Sequence, residues 1–124
     1  ALLKNRKILV AEDNKFNRLL LKIIFDKYNI ELTEAQNGKE AIELAAAGDF
    51  DMILMDIQMP EMDGVEATKY IRQVLKKDIP ILAITANAVT EELEEYKAQG
   101  MDDALTKPFE EKNLLEKLFR FIIK

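Results

Sequence analysis

The sequence contains neither cysteine nor histidine among its 124 residues. Without cysteine there is no disulfide framework and no thiolate metal site. Without histidine, no imidazole can bind a metal or act as a general acid or base. Any bound metal would therefore have to be held by oxygen ligands, which hard cations prefer.

Long apolar stretches are equally scarce. No run approaches the roughly 20 residues that a membrane-spanning helix needs, and no signal peptide precedes the first predicted strand. We therefore expect a cytoplasmic location and no membrane contact by this domain. The sequence begins with Ala1 rather than Met, which fits a processed or excised piece of a longer chain.

The chain has fewer basic than acidic residues. The 18 Lys and Arg residues and 23 Asp and Glu residues leave a net charge of -5, which argues against direct nucleic-acid binding. Neither Gly-x-Gly-x-x-Gly nor Gly-x-x-x-x-Gly-Lys occurs, which disfavours a nucleotide-binding flavodoxin-like protein. With 48% apolar and 33% charged residues, the composition predicts one globular domain over residues 1–124.

The features that are present centre on residues 51–64. Four apolar residues lie between Asp51 and Asp56, a pattern typical of a short buried strand in a parallel sheet. Pro60 and Asp63-Gly64 turn the chain soon afterwards. Asp56 therefore ends a central strand, at the edge of the sheet where open α/β folds bind ligands.

The remaining apolar spacing predicts five strands alternating with five helices. The expected strands are 7–11, 31–35, 52–55, 81–84 and 104–106, and the expected helices are 15–28, 39–47, 64–75, 91–99 and 110–123. The first, third and fourth strands are the most apolar and should be central. This pattern favours an α/β fold of the flavodoxin-like doubly wound (βα)5 type, with a five-stranded parallel sheet in the order 2-1-3-4-5. Asn14 is the expected N-cap of the first helix, and Leu93 and Tyr96 are the expected anchors of the fourth helix.

In this topology Glu12, Asp13 and Asp56 would meet at the switch point between the first and third strands. Three carboxylates in one crevice repel each other by about 4 kcal/mol per close pair at an effective dielectric near 20. Such a site either binds protons or recruits a cation. An open set of carboxylates that leaves room for a phosphate to bind beside the ion suits Mg²⁺.

Two further strand ends carry Thr85 and Lys107. A hydroxyl donor and a fixed positive charge do not serve a metal, but both suit the oxygens of a phosphoryl group. An aspartate can act as nucleophile and form an acyl phosphate. Asp56 is the candidate, because it is the only carboxylate that stands alone at its strand end.

These residues, in this order and each at a strand end, resemble the receiver domain of two-component response regulators. The likeness extends over essentially the whole chain and includes the stretches 56–64, 85–88 and 100–103. The opening Glu12-Asp13-Asn14 and the loop 59–64 are most similar to receivers attached to hybrid sensor histidine kinases.

The resemblance implies a phosphorelay function. Asp56 would take a phosphoryl group from the phosphohistidine of a histidine kinase or histidine phosphotransfer protein, and the domain would slowly hydrolyse it. Thr85 and Lys107 would hold the phosphoryl oxygens, and the peptide before Pro108 would be cis. Such a domain catalyses its own phosphorylation and dephosphorylation and is not a turnover enzyme acting on an external substrate.

The resemblance also assigns the ligands of Mg²⁺. Asp13 and Asp56 would bind the ion directly, Glu12 would help through water, and the backbone carbonyl at Gln58 would complete the set. These four residues therefore form the expected metal site, while Asp56 also belongs to the expected catalytic group.

Ala104 departs from the family pattern. Three residues before the lysine that matches Lys107, receivers usually have Tyr or Phe, whose ring reorients as the threonine moves towards the phosphoryl group. A methyl group there leaves the phosphorylation chemistry untouched. We expect the backbone from Ala86 to Thr90 to respond instead, with only a modest change on the face of the fourth helix and fifth strand.

The first helix has an apolar arc wider than the core requires. Leu19, Leu20 and Leu21 span about 200° of helix, so they cannot all face the sheet. We expect Phe16 and Leu19 or Leu20 to be exposed anchors that dock the histidine-containing phosphodonor. The alternative is that these side chains merely pack on the last helix.

Taken singly, each of these strand-end residues has a structural alternative. The acidic pair could be a solvated strand end, Thr85 a helix cap and Lys107 a surface charge.

Two other functions remain as alternatives. A phosphatase with an aspartyl nucleophile usually has a second Asp two residues later as general acid, and that position here is Gln58. A binding-only module of the same fold normally lacks the phosphoacceptor or the acidic pair, and both are present. Turnover of a small phosphate ester would identify the hydrolase.

Overall fold

The computed structural model describes residues 2–59, 62–86, 90–107 and 109–123. The strands are β1 Lys7–Ala11, β2 Glu31–Ala35, β3 Met52–Asp56, β4 Ile81–Thr85 and β5 Asp103–Thr106. The helices are α1 Lys15–Lys27, α2 Gly38–Ala47, α3 Gly64–Gln73, α4 Thr90–Ala98 and α5 Glu111–Ile122. All ten predicted elements are present, and several ends differ by one or two residues.

The five strands form one parallel sheet in the order β2-β1-β3-β4-β5. The predicted topology is therefore confirmed. Every residue of β3 is buried, because a central parallel strand is covered by helices on both faces. The carboxyl ends of β1, β3 and β4 lie side by side, since Ala11 is paired with Met55 and Asp56 with Ile84.

Two apolar clusters cover the two faces of the sheet. On one face α1 and α5 contribute Leu21, Ile24, Phe25, Leu114 and Leu118. On the other face α2 and α3 contribute Ala41, Ala45, Ala67 and Ile71, and α4 packs its half-buried Leu93 and Tyr96 there. The predicted role of Leu93 and Tyr96 as the anchors of α4 is thus confirmed.

Side-chain caps fix where the helices beside the crevice begin. The Asn14 side chain accepts hydrogen bonds from the backbone N–H groups of Phe16, at 2.8 Å, and Asn17, at 3.1 Å, as predicted for an N-cap. Asp63 accepts the Glu66 N–H at 2.9 Å in the same way at the start of α3. Gly64 follows, and only glycine fits there, because an added Cβ would lie 2.1 Å from the Asp56 carbonyl oxygen.

At the sheet edge formed by β5, a buried acid is held by basic side chains of α5. The Asp103 carboxylate accepts the backbone N–H of Ala104 at 2.8 Å and lies 2.5 Å from the Lys117 ammonium. Arg120 approaches the same carboxylate at 3.7 Å. These contacts tie β5 to α5.

Within the described residues, no helix is both long enough and apolar enough to cross a membrane.

Candidate functional site

The structure brings together the three carboxylates that the sequence predicted to meet. One oxygen from each of Glu12, Asp13 and Asp56 lies within 4.8 Å of the others. Glu12 and Asp56 are buried, whereas Asp13 is exposed at the mouth of the crevice. This donor set consists only of carboxylates, at the spacing of ligands that share one cation.

Lys107 reaches the same point from the end of β5. Its ammonium lies 2.9 Å from Asp56 Oδ2 and 3.1 Å from Glu12 Oε1. Its backbone N–H donates to the Thr85 carbonyl at 2.8 Å, which extends the β4–β5 pairing by one residue. The sheet therefore places Thr85 and Lys107 next to each other and beside the acidic group, as predicted.

Two residues of α1 support Glu12, and sequence reasoning missed both. Asn17 Nδ2 donates to Glu12 Oε1 at 2.5 Å, and Arg18 Nη1 donates to the Glu12 backbone carbonyl at 2.7 Å. The signal was available in the helix period, because residues three and four positions after the Asn14 N-cap return to the crevice edge of α1.

Asp56 is oriented by contacts on both of its oxygens. The backbone N–H of Gln58 donates to Oδ1 at 3.0 Å, and Lys107 Nζ donates to Oδ2 at 2.9 Å. The turn that follows β3 is held by the Ile57 N–H, which donates to the Ile84 carbonyl at 3.1 Å. The carboxylate is therefore fixed, with one oxygen on a backbone amide and the other on a cation.

Burial and mutual repulsion perturb the charges of the site. Burial, followed by the close approach of Asp56, raises the pKa of Glu12 from 4.5 to about 7, against the opposing effects of Asn17 and Lys107. For Lys107, burial acts to lower the pKa, but the bonds and attraction of Asp56 and Glu12 outweigh it and raise the pKa. Lys107 is thus a fixed positive charge in this crevice.

The crevice itself has a volume of about 610 Å³. The carboxylates of Asp13 and Asp56 line it together with Lys107, Thr85 and Ala86. Two α4 residues, Glu92 and Tyr96, line it as well. The sequence analysis assigned Tyr96 only to the core and did not single out Glu92, because the rotation of a helix about its axis is decided by its packing on the sheet.

Ala104 lies buried in β5, on the face that packs against α4. A second cavity of about 340 Å³ adjoins it, between Leu93 of α4, β5 and the polar residues Asn113, Glu116 and Lys117 of α5. The small side chain thus leaves open space between the two helices. The predicted response of residues 86–90 concerns a segment of which 87–89 lie outside the described residues.

The outer face of α1 is apolar and open to solvent. Phe16 is 80% exposed, Leu19 52% and Ile23 59%. Leu20 instead packs half-buried against the core, so of the two leucines offered as anchors Leu19 is the exposed one. We name Phe16, Leu19 and Ile23 the α1 surface; it begins beside the crevice, directly after the Asn14 cap.

A search of protein families gives one match that spans most of the chain. The family described as "Response regulator receiver domain" matches residues 8–119. The chain is a response regulator receiver domain. The predicted family is therefore confirmed, whereas the outer limits of the predicted domain, residues 1 and 124, stay a prediction.

Several sensor kinases contain segments similar to this receiver. The autoinducer 2 sensor kinase/phosphatase LuxQ of Vibrio vulnificus is 39% identical over 115 residues, which cover 93% of this chain and 13% of LuxQ. The hybrid signal transduction histidine kinase I of Dictyostelium discoideum is 40% identical over 119 residues, covering 90% of this chain and 7% of the kinase. The chain thus spans only a small part of the length of these relatives.

Solved structures show the same fold. The receiver domain of the sensor histidine kinase PA1611 from Pseudomonas aeruginosa PAO1, which has a magnesium ion coordinated in its active site cleft, matches with a TM-score of 0.87 at 35% identity, covering 97% of this chain and 99% of that one. A chain of the Saccharomyces cerevisiae complex between the histidine phosphotransfer protein Ypd1 and the Ssk1 receiver domain matches at 0.90 with 29% identity, covering 97% and 90%.

The individual site roles stay predictions at this point. The three clustered carboxylates lie within 4.8 Å of one another. Lys107 pairs with two of them, Glu12 and Asp56, and Thr85 lines the same crevice. At Gln58 the structure shows that the backbone N–H donates a hydrogen bond to the Asp56 carboxylate. The expected cis peptide before Pro108 lies outside the described residues.

Proposed function

We propose that this receiver accepts a phosphoryl group on Asp56 from the phosphohistidine of a partner protein in a cytoplasmic two-component phosphorelay, and then slowly hydrolyses it. The observation that carries the proposal is the Asp56 carboxylate, buried at the end of β3, with Lys107 at 2.9 Å and two further carboxylates beside it. No other described carboxylate combines a central strand end with an adjacent cation and a metal-binding set.

The acidic set fits Mg²⁺. Its three carboxylate oxygens lie within 4.8 Å of one another, and an ion that prefers oxygen ligands would relieve their repulsion. Asp13, Asp56 and the carbonyl at Gln58 would hold it directly, and Glu12 would act through water. When bound, the ion would neutralise negative charge on the phosphoryl oxygens.

The transfer step follows from the orientation of Asp56. One carboxylate oxygen attacks phosphorus and forms the O–P bond, while the P–N bond to the donor imidazole breaks and its electron pair stays on nitrogen. Lys107 and Thr85 hold the phosphoryl oxygens during the step, which is mainly a matter of positioning and charge neutralisation. Lys107 must leave at least part of its pairing with Glu12 to do so.

Hydrolysis restores the carboxylate. Water attacks phosphorus, the O–P bond to Asp56 breaks, and inorganic phosphate leaves. Membership of the receiver family supports a slow reaction. The acyl phosphate would then persist as a signal, and no external substrate would be turned over.

We assign the docking of the phosphodonor, a histidine kinase or a histidine phosphotransfer protein, to the α1 surface. Phe16 and Leu19 are exposed apolar side chains next to the crevice, and such anchors commonly dominate small interfaces. The partner's phosphohistidine could then enter the crevice past the start of α1. The Ypd1–Ssk1 complex is a known pairing of this kind for a structurally similar receiver.

The test is stoichiometric labelling. With Mg²⁺ and a small phosphodonor, intact-mass analysis should find one phosphoryl group per chain, removed by hydroxylamine as expected of an acyl phosphate. Asp56→Asn should remove the label, and the exposed acid variant Asp49→Asn should keep it. Equal labelling of Asp56→Asn would overturn the assignment, and continuous release of phosphate from small esters would indicate a hydrolase.

A further inference from the structure

The fourth helix places one glutamate in the crevice and three outside it. Leu93 and Tyr96 pack half-buried against the core and thereby fix the rotation of α4 about its axis. Glu92 and Tyr96 are one turn apart, share one side of the helix, and both line the crevice. Glu91, Glu94 and Glu95 are exposed to solvent and do not line it.

Glu92 adds negative charge where a phosphodonor must enter. The crevice already contains Asp13 and Asp56, with Glu12 close behind them, and Lys107 is the one cationic side chain among its described lining residues. A bound Mg²⁺ would offset the clustered carboxylates of Glu12, Asp13 and Asp56. Glu92 is not part of that cluster, and the ion pairs of Lys107 are with Glu12 and Asp56. An incoming donor therefore meets a further carboxylate in the lining of the crevice.

We propose that Glu92 selects the phosphodonor by charge. It disfavours donors that bring extra negative charge, such as acyl phosphates, and favours donors whose phosphoryl group is bonded to nitrogen, as in phosphohistidine or phosphoramidate. An N–H group of a nitrogen leaving group can also face the carboxylate, which a carboxylate leaving group cannot do. This inference rests on the proposed function of Asp56.

The size of the effect follows from Coulomb's law. One unit charge several ångströms from another across a partly solvated crevice changes a rate by about three- to tenfold. The effect should therefore scale with the charge of the donor. It should also weaken with salt, because screening acts over about 10 Å at 0.1 M and about 3 Å at 1 M ionic strength.

The experiment compares two small donors at neutral pH and saturating Mg²⁺: acetyl phosphate, a dianion, and phosphoramidate, which carries one negative charge fewer. Phosphorylation of the intact chain by each is followed by mass analysis for the wild type, Glu92→Gln and Glu92→Lys. The matched control is Glu94→Gln, which removes the same charge about 200° around the helix from Glu92.

We expect Glu92→Gln to raise the acetyl phosphate rate about three- to tenfold and the phosphoramidate rate less. Glu92→Lys should raise the acetyl phosphate rate further relative to the phosphoramidate rate. Glu94→Gln should leave the ratio of the two rates unchanged. High salt should reduce the difference in this ratio between the wild type and the Glu92 variants. Equal effects on both donors, or the same change of ratio in Glu94→Gln, would overturn the selection by Glu92. A wild type that neither donor labels would instead overturn the proposed function of Asp56.

Discussion

The two helices that border the crevice, α1 and α4, differ in almost every property. α1 begins on a side-chain cap, supports Glu12 through Asn17 and Arg18, and turns an apolar face to solvent. α4 has four glutamates among its nine residues and packs through Leu93 and Tyr96. One side of the crevice is thus fixed by hydrogen bonds and has an apolar outer face. The other side is acidic and, among the residues that the structure describes, is held by the packing of Leu93 and Tyr96.

This difference separates two tasks that the same crevice must combine. A wall fixed by hydrogen bonds keeps the carboxylates in position for a cation before any ligand arrives, which is the usual requirement for preorganised binding. A wall held by fewer polar contacts can shift at lower energy when charge is added to the crevice. We expect variants on the α1 side to change binding and docking, and variants on the α4 side to change selectivity and response.

The largest effect should come from removing a carboxylate on the α1 side. Asp13→Ala should abolish Mg²⁺ binding, because one of the three clustered oxygens is lost. Lys107→Ala should leave most of the binding, since it removes a cation that pairs with the same carboxylates as the metal. A Mg²⁺ titration with and without a phosphoryl mimic, which should tighten binding, measures both; the reverse ranking would contradict the site.

A smaller effect is expected on the α1 surface. Leu19→Asp should slow phosphotransfer from a histidine-containing protein donor by about tenfold and leave the rate with a small donor unchanged. Val74→Asp in the segment after α3 is the matched control, because Val74 is 57% exposed and Leu19 52%. Equal slowing with both donors, or equal slowing by Val74→Asp, would remove the docking assignment.

Glu12 should make the stability of the metal-free domain depend on pH. Its pKa is raised from 4.5 to about 7 in the folded state, so between these values the folded chain retains a proton that the unfolded chain has lost. The free energy of unfolding should therefore fall as pH rises through this window. Glu12→Gln cannot titrate and should lack this contribution. Its stability relative to the wild type should therefore rise by on the order of 3 kcal/mol between pH 4.5 and pH 8.

Urea unfolding with a chelator present, at several pH values, measures that difference. The quantity to compare is the slope of the free energy of unfolding against pH. The absolute stabilities are not comparable, because the Glu12→Gln variant would also lose the attraction of Lys107. Glu34→Gln, which replaces an exposed acid on β2, supplies the baseline. Parallel curves for wild type and Glu12→Gln would show that Glu12 titrates normally.

The smallest effect concerns Ala104. Amide chemical shifts recorded with and without beryllofluoride and Mg²⁺ should change most at residues 56–58 and 85–86, and less at residues 97–105, because no ring is present to carry motion through β5. Ala104→Phe, which places a ring next to the 340 Å³ cavity, should enlarge the changes at residues 97–105. Large changes there in the wild type would show that this face responds without a ring.

The sequence was sufficient for the fold because its signals are local and consistent. Short apolar runs such as 52–55 could only be buried strands, and side-chain caps such as Asn14 marked helix starts within a residue. Helix ends were less certain. The third helix ends at Gln73 rather than Leu75, because apolar spacing continues into the following turn, where Leu75 still packs against the core.

The site could be predicted where it depends on strand ends and not where it depends on helix rotation. Glu12, Asp13, Asp56, Thr85 and Lys107 follow from the rule that parallel strands end at one edge. Asn17, Arg18 and Glu92 depend on how each helix is turned about its axis, which packing on the sheet decides. The spacing of Asn17 and Arg18 after Asn14 was the available sequence signal for these two residues. Glu92 gave no distinctive signal, since polar residues on a helix are usually solvated.

The carboxylate of Asp103 also protects the edge of the sheet. An edge strand with unpaired backbone groups is a template on which another chain can add a strand, and this is how many β proteins aggregate. Here the Ala104 N–H is already bonded to Asp103, and Lys117 and Arg120 hold that acid in place. Replacing Asp103 with valine should therefore leave the phosphorylation crevice intact but make the domain self-associate, because one backbone donor at the edge would become available to a neighbouring chain.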